Sequence, residues 1–527
     1  MGRSMAPGGD IGKVRSGPYA PRVPRLLLAA IFVFGLLLVS APFPTRAADA
    51  AGDAEAENTE ASKKQQEEAE QEEEEEQRDK KPPVLTIPQD DRKAGAEASQ
   101  QVAQAMGIME GPLADYVKKV GARVARHGGH VFKYTFNVVN EDTPNAFALP
   151  GGFIYVSRGL LILANSEDEV ANVLGHEISH VSQRHAAARQ QIVEGVPGIF
   201  QFMQFASLAG YGRDQERTAD KLGQKLAGAA GYDPHGMSTF MKQLDFAERL
   251  SRGSSRIPSW RDSHPSSRER VADNAARASR VRWAPTPGIV EGRAGFLALL
   301  DGLAIGLPAS EGVFKRTRFL HPDMGFTIRF PDGWETRNTH SAVGALSPER
   351  NAQVVLEFGG TGTDLDAAAE KYIAKMGKDG LRLEKPEKVT VGGRKALRSR
   401  GTASTGRGSF HAVVTWLLWK HGDEEMIFRI TGLSLSRQHE GIFVNVARSF
   451  RPITPREIAT IKETRLRIAV AQEGETLAAL SQRTRNKWNV NTTAVANGVH
   501  TTDRLSKDFP VKIAREEPYQ VKTRSAE

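Results

Sequence analysis

Two histidines four residues apart, with a glutamate directly after the first, sit in the run Val173-Leu-Gly-His-Glu-Ile-Ser-His-Val181. The spacing His176-Glu177-x-x-His180 brings the two imidazoles together only on a helix, where positions i and i+4 share one face a turn apart. The flanking residues predict that helix. Ser166 and Glu169 have the S-x-x-E spacing of a capping box, and Val170, Val173 and Leu174 follow at helical intervals. Two imidazoles so placed can share one metal ion. Glu177 lies about 100° round the helix from His176, beside the metal's open position rather than among its ligands. An ordinary helix with two half-buried histidines is the alternative.

The pattern H-E-x-x-H is that of zinc-dependent hydrolases, in which the carboxylate takes a proton from a metal-activated water. Such a site needs a third ligand and a second sphere from elsewhere. Arg213-Asp-Gln-Glu-Arg-Thr-Ala-Asp-Lys221 offers both, with Glu216 and Asp220 at i and i+4 on a predicted helix running to Ala227. Glu216 completes a set of two histidines and a glutamate plus water. Asp220 faces the same side, to accept the N–H of a metal histidine and fix its tautomer. His185 falls off the His176/His180 face and reads as structural. Gln183 and Ala186 stand where a metzincin needs Gly and His, which excludes that class.

The chain has no cysteine, so disulfides, cysteine-ligated zinc, a cysteine nucleophile and an N-terminal lipid-modified cysteine are excluded. Its net charge of +8 is unevenly spread. Residues 1–47 carry six Lys/Arg against one Asp, residues 48–80 carry four against fourteen Asp/Glu, and residues 81–527 are left at +13. A basic folded part behind an acidic tether suits work near anionic surfaces such as lipid head groups or cell-wall polymers. No nucleic-acid motif is present.

Arg15, Arg22 and Arg25 precede an apolar run, Leu26 to Ala41, and a small-residue region, Thr45-Arg-Ala-Ala-Asp49. This predicts a signal peptide over 1–47, with an uncleaved anchor as the alternative. Residues 48–88 are too polar to build a core and read as an acidic disordered linker. A peptidase-type domain is expected over 89–285. It opens with helical sequence from Ala94 to Arg126, broken at Gly107 and Gly111-Pro112. Val131 to Val139 and Phe153 to Val156 follow as short strands. The stretch between, from Asn145 with Ala146, Phe147 and Ala148, is the expected edge on which an extended peptide adds as a strand. An ordinary hairpin with a Gly-Gly turn is the alternative. Val193 to Gly212 is apolar and reads as a flexible lid, a substrate wall or a buried helix.

Four stretches together carry a resemblance: His176-Glu-Ile-Ser-His180, Glu216-x-x-Ala-Asp220, Gly231-Tyr-Asp-Pro234 and Asn145-Ala-Phe-Ala-Leu-Pro-Gly-Gly152. Over roughly 90–285 the chain resembles the HtpX and CAAX-prenyl-protease-like zinc metallopeptidases, in their soluble, secreted, BepA-like branch. The resemblance implies a gluzincin fold, one Zn(2+) per chain and endopeptidase action. It makes His176, His180 and Glu216 the metal ligands and Glu177 the general base. Ser263-His-Pro265 with Arg270 also resembles a motif of that branch. There His264 occupies the fourth metal position as a displaceable plug or steadies the oxyanion, and Arg270 holds Asp220 or the substrate carbonyl. A turn before the helix Arg268–Arg280 is the alternative. The tetratricopeptide repeats that many of that branch carry are not seen in this sequence.

Residues 286–314 read as a helical connector. Alternating apolar runs predict an antiparallel α+β domain over 315–455, which weakly resembles PsbP-like folds. Its His321, His340, His411 and His421 have no ligand spacing. Residues 460–516 read strand, helix, helix, strand and resemble a LysM module, a small glycan-gripping unit, through Gly474-Glu-Thr-Leu477. The stretch Thr484–Thr493 looks like an insertion, and 517–527 is a tail. The expected fold class is multidomain α+β: a mainly helical gluzincin domain with a small sheet, an antiparallel α+β domain and a LysM-like β-α-α-β module. The expected function is that of a periplasmic zinc endopeptidase acting on unfolded or misassembled envelope proteins. Peptidoglycan contact through 465–516 and peripheral membrane contact are its further expected partners. A latent peptidase working as chaperone or cell-wall adaptor, and a peptidoglycan hydrolase, are the alternatives.

Overall fold

The computed structural model describes residues 88–128, 133–185, 211–250, 260, 264, 268–378, 380–405 and 408–521. The expected signal peptide, the acidic linker up to 87 and most of the apolar run 193–212 lie outside the described residues.

One helix, α4 (Glu167–Ser182), has fourteen of its sixteen residues buried, so it cannot be a surface helix and the domain is built round it. Its start is capped much as the sequence predicts. Ser166 Oγ accepts from Glu169 N at 3.2 Å, while the Glu169 carboxylate takes the N–H of Asn165, one residue earlier than a standard box, at 2.7 Å.

A four-stranded sheet packs against this helix in the order β1-β2-β4-β3 (β1 Ile108–Met109, β2 Thr135–Val139, β3 Ala146–Leu149, β4 Phe153–Ser157). Strands β2 and β4 are parallel, and β3 returns antiparallel on β4 through Pro150-Gly-Gly152. The stretch Asn145–Gly152 is therefore part strand, part turn. Of these two strands only β3 lies at an edge, since β4 is paired on both sides; β1 is the sheet's other edge. Helix α1 (Pro88–Met106) covers one sheet face through Val102, against Phe147, Leu149, Phe153 and Tyr155. The alternate residues Ala146, Ala148, Ile154 and Val156 face the other side and join α2 (Pro112–Ala125) and α4 in the main core. Helices α3 (Arg158–Leu163), α5 (Arg213–Ala229), α6 (Gly236–Leu250) and α7 (Arg268–Ala278) complete the domain.

The connector differs from expectation. Its helical parts are α8 (Gly292–Leu300) and one 3-10 turn (Ala309–Glu311), and Phe296, Leu297 and Leu300 of α8 are buried in the same core as α4. Apolar residues at that density need a core of their own or another's, and here they take the peptidase-type domain's.

Beyond it lies an antiparallel sheet built from β8 (Glu335–Asn338), β9 (Ala342–Leu346), β10 (Ala352–Thr361), β11 (Leu381–Leu383), β12 (Glu387–Val391), β13 (Arg394–Thr405), β14 (Gly408–His421) and β15 (Glu424–Ser434), in the order β11-β13-β14-β15-β10-β9-β8 with β12 paired on β13. Its long members are β10, β13, β14 and β15. Helix α9 (Leu365–Lys378) covers one face, and α10 (Glu440–Arg448) covers the other with a smaller sheet holding β7 (Phe326–Arg329).

The last unit pairs β17 (Lys462–Val470) with β20 (Pro510–Pro518) round two short helices, Leu477–Thr484 and Val490–Asn497. The expected insertion 484–493 is a tight link, since the second helix already starts at Val490. This unit is not a separate arm. Residues 302–305 pair with β17, Gly302 N to Leu466 O at 2.8 Å and Leu466 N to Leu303 O at 2.7 Å. The middle domain therefore leaves and rejoins the chain at neighbouring points. Lys512 is fully buried, and its ammonium reaches the carbonyls of Ile162, Leu163 and Ala164 at 2.7, 3.3 and 2.8 Å, capping the end of α3. Arg293 spans the same seam, from Asn165 Oδ1 at 2.9 Å to Asn497 Oδ1 at 3.2 Å.

Among the described residues no helix is long and apolar enough to cross a membrane.

Candidate metal centre

Helices α4 and α5 cross where each carries a glycine. A Cβ on Gly175 would fall 2.7 Å from the Gly223 carbonyl oxygen, and one on Gly223 would fall 2.7 Å from the His176 nitrogen. Bare backbone contact is the closest approach two helices can make. It lets Glu216, two turns before Gly223, reach across to the histidines of α4.

The result is a fully buried cluster of His176, His180, Glu216 and His264, whose ligand atoms all lie within 4.8 Å of one another. His176 Nε2 is 2.9 Å from His180 Nε2 and 3.1 Å from His264 Nδ1. Glu216 Oε1 is 3.3 Å from His180 Nε2 and 2.9 Å from His264 Nδ1. Tetrahedral zinc with bonds of about 2.0–2.1 Å sets its ligand atoms about 3.3 Å apart. Three ring nitrogens and a carboxylate oxygen converging at that spacing, all out of water, fit a four-coordinate cation.

Behind the ligands, Asp220 Oδ1 lies 3.0 Å from His176 Nδ1. Arg270 grips Asp220 with Nε at 2.6 Å and Nη2 at 2.7 Å, and its Nη2 also lies 2.6 Å from Glu216 Oε2. Asn274 adds a third donor to Asp220 at 2.9 Å. Burial pushes the Asp220 carboxyl up, but Arg270 and His176 hold it well below the usual aspartate range. Glu216 is likewise raised by burial and carried well below its usual value by His264, His180 and His176. Burial pulls both metal-motif histidines down. For His176 the carboxylates of Asp220, Glu216 and Glu177 reverse the direction, while His180 stays well below the usual imidazole value.

Glu177 is buried beside the cluster and outside the ligand set. Trp260 Nε1 donates to its Oε1 at 3.2 Å, and Oε2 has no hydrogen-bond partner among the described residues. The rings of Trp260 and His264 stack at 4.7 Å, and Tyr211 stacks on His180 at 3.7 Å.

The structure thus gathers His176, Glu177, His180, Glu216, Asp220, His264 and Arg270 into one site. Of the two positions open to Arg270, it stands on Asp220 and Glu216. Asn145 immediately precedes β3, its N–H bonded to Ser157 Oγ at 2.8 Å and its Oδ1 unpartnered among the described residues. Ala146, Phe147 and Ala148 are buried in β3 itself. His185 is not merely off the ligand face, because its Nδ1 lies 2.9 Å from His180 Nδ1. Burial, with His176 nearby, lowers its pKa to about 4. Trp260, Tyr211 and Asn274 carried no signal in spacing or composition.

A family model described as peptidase family M48 matches residues 113–210 and 196–278. Over residues 113–278, which hold the candidate metal centre, the chain resembles peptidase family M48. The chain is 31% identical over 176 residues to the mitochondrial metalloendopeptidase OMA1 of Schizosaccharomyces pombe, covering 30% of this chain and 51% of that one. It is 29% identical over 196 residues to the beta-barrel assembly-enhancing protease of Escherichia coli, covering 32% and 40%. To the protein of the same name in Yersinia pestis it is 29% identical over 228 residues, covering 38% and 46%. The chain therefore spans about half the length of these relatives, or less.

Proposed function

We propose that this chain is a zinc-dependent endopeptidase of the bacterial envelope that cuts unfolded or misassembled proteins. The observation that carries the reading is the buried convergence of His176, His180 and Glu216 with Glu177 set beside them. Zinc held by those three ligands would supply a Lewis acid that polarises both a water and the scissile carbonyl. Glu177 takes the proton from that water and returns it to the leaving amine. Trp260 fixes one Glu177 oxygen, so the unpartnered Oε2 is the one that receives the proton. Asp220 holds His176 in the Nδ1–H tautomer, and Arg270 holds Asp220 ionised. The substrate lies extended along the free edge of β3, its backbone pairing with that strand, and Asn145 Oδ1 accepts one of its N–H groups.

One observation favours a second reading of the same site. His264 Nδ1 sits at the position a water or substrate oxygen must take, 3.1 Å from His176 Nε2 and 2.9 Å from Glu216 Oε1. In that reading the resting enzyme is closed by His264 and opens when substrate displaces it. The test is digestion of casein by the zinc-loaded chain beside Glu177→Gln, with zinc measured in both. Cleavage by the wild type alone, with equal zinc, supports the endopeptidase. Zinc in both without cleavage by either favours the closed site, and no zinc in either removes the metal reading.

A further inference from the structure

The two motif histidines are backed differently. His176 has the carboxylate of Asp220 behind its Nδ1, whereas His180 has a second imidazole, His185, at 2.9 Å between the two Nδ1 atoms. Two ring nitrogens that close share one proton, since one must donate and the other accept. His180 points Nε2 into the ligand cluster, so that nitrogen must keep its lone pair and the proton sits on Nδ1. The acceptor is then Nδ1 of His185.

The backbone holds His185 in that place by a device of its own. Helix α4 ends at Ser182, and Arg184 takes a left-handed conformation (φ 55°), unfavourable for a side chain of its kind, which turns the chain back toward His180. The Arg184 guanidinium grips the buried carboxylate of Asp91 on α1 with two bonds, Nε to Oδ2 at 3.0 Å and Nη2 to Oδ1 at 2.9 Å. A strained residue clamped by a bidentate ion pair leaves the next residue little freedom. The ring of Tyr211, 3.7 Å from that of His180, closes the remaining face.

We infer that His185 is a positioning residue of the metal centre: it accepts the Nδ1 proton of His180, fixes that ring's tautomer and aims its Nε2 at the metal. This rests on the metal reading above and extends it to a residue outside the H-E-x-x-H pair. The two metal histidines then differ in donor strength, because a neutral imidazole polarises its partner less than a carboxylate does.

The test is zinc affinity of the full chain by competition with a chelating dye, for wild type, His185→Leu, His185→Asn and His185→Gln. Each is also melted without metal. An asparagine places its carbonyl oxygen where Nδ1 stood, whereas glutamine places its polar end where Nε2 stood. Loss of such an outer partner costs about 10–100-fold in metal affinity. That loss is expected for His185→Leu and His185→Gln, with His185→Asn near wild type and the metal-free melting points alike. In the zinc-loaded wild type, 15N-labelled histidine should show a slowly exchanging Nδ1 proton on His180 that His185→Leu loses. Wild-type affinity in His185→Leu, or equal losses in Asn and Gln variants, would overturn the inference. Failure of the wild type to bind zinc would instead remove the reading it rests on, and the inference with it.

Discussion

Asp220 and Arg270 meet as a fork, Nε to Oδ2 at 2.6 Å and Nη2 to Oδ1 at 2.7 Å. Both side chains are buried, so the pair is worth most to the structure through what its loss would leave behind. Asp220→Asn keeps the shape and removes the charge that faces His176. Zinc affinity should fall about 10–100-fold, measured by dye competition, while Glu216 keeps Arg270 partly paired.

The same fork gives the metal-free chain a pH dependence. Asp220 has its folded pKa held well below the usual aspartate value of about 3.9. The unfolded chain therefore binds the proton first as pH falls, and the stability this group contributes is complete above that value and lost below it. Acid unfolding followed by circular dichroism should steepen below about pH 4 in wild type and less so in Asp220→Asn. Equal slopes would mean that Asp220 is not held ionised by Arg270.

Glu177→Gln removes the proton acceptor without touching a ligand. Turnover should drop by about 10²–10⁴-fold with zinc content unchanged. A variant that lost zinc as well would show that Glu177 belongs to the ligand set.

His264→Ala opens the fourth position. If His264 closes the site at rest, casein cleavage should rise in this variant, and zinc should bind more weakly for want of one ligand. Unchanged or lower cleavage would sink the closed-site reading while leaving the endopeptidase in place.

Lys512→Met strips the donors from the end of α3. Hydrogen bonds to charged groups contribute about 1.5–3 kcal/mol, so the melting point of the full chain should fall, with the last unit and the α4 domain still unfolding together. Two separate transitions would show that 462–518 is an independent arm. Because residues 302–305 lie against β17, joining 308 directly to 461 by a short linker should leave the metal-site domain folded, as read by zinc binding.

Legibility in the sequence followed the range of the forces involved. The metal helix was readable because cap, apolar spacing and ligand spacing are all local to Ser166–Val181, and Glu216 with Asp220 because i, i+4 carboxylates repeat that geometry. His264 and Arg270 surfaced only through resemblance, since nothing within Ser263–Arg270 itself says that these two side chains reach the cluster. The contact of His185 with His180 was hidden for a specific reason. A helical wheel places it off the ligand face, but the helix has ended by then, and the left-handed Arg184 brings the ring back. Trp260 and Tyr211 act by stacking, which leaves no spacing to read. The docking of the connector 286–314 was not legible because Phe296, Leu297 and Leu300 give no hint of whose core they enter.

The glycine crossing of α4 and α5 has a thermodynamic consequence. Where Gly175 meets Gly223, the distance between the helix carrying the histidines and the helix carrying Glu216 is set by the radii of main-chain atoms. No side chain needs to repack when a cation arrives, so folding alone meets the entropic cost of bringing the donors together. In a zinc finger, by contrast, the metal must organise the chain and spends its affinity doing so. Here folding does not wait for the ion: stripping it should leave an intact, ready-shaped cage, and bound zinc should raise the melting point only through its linkage to the folded state.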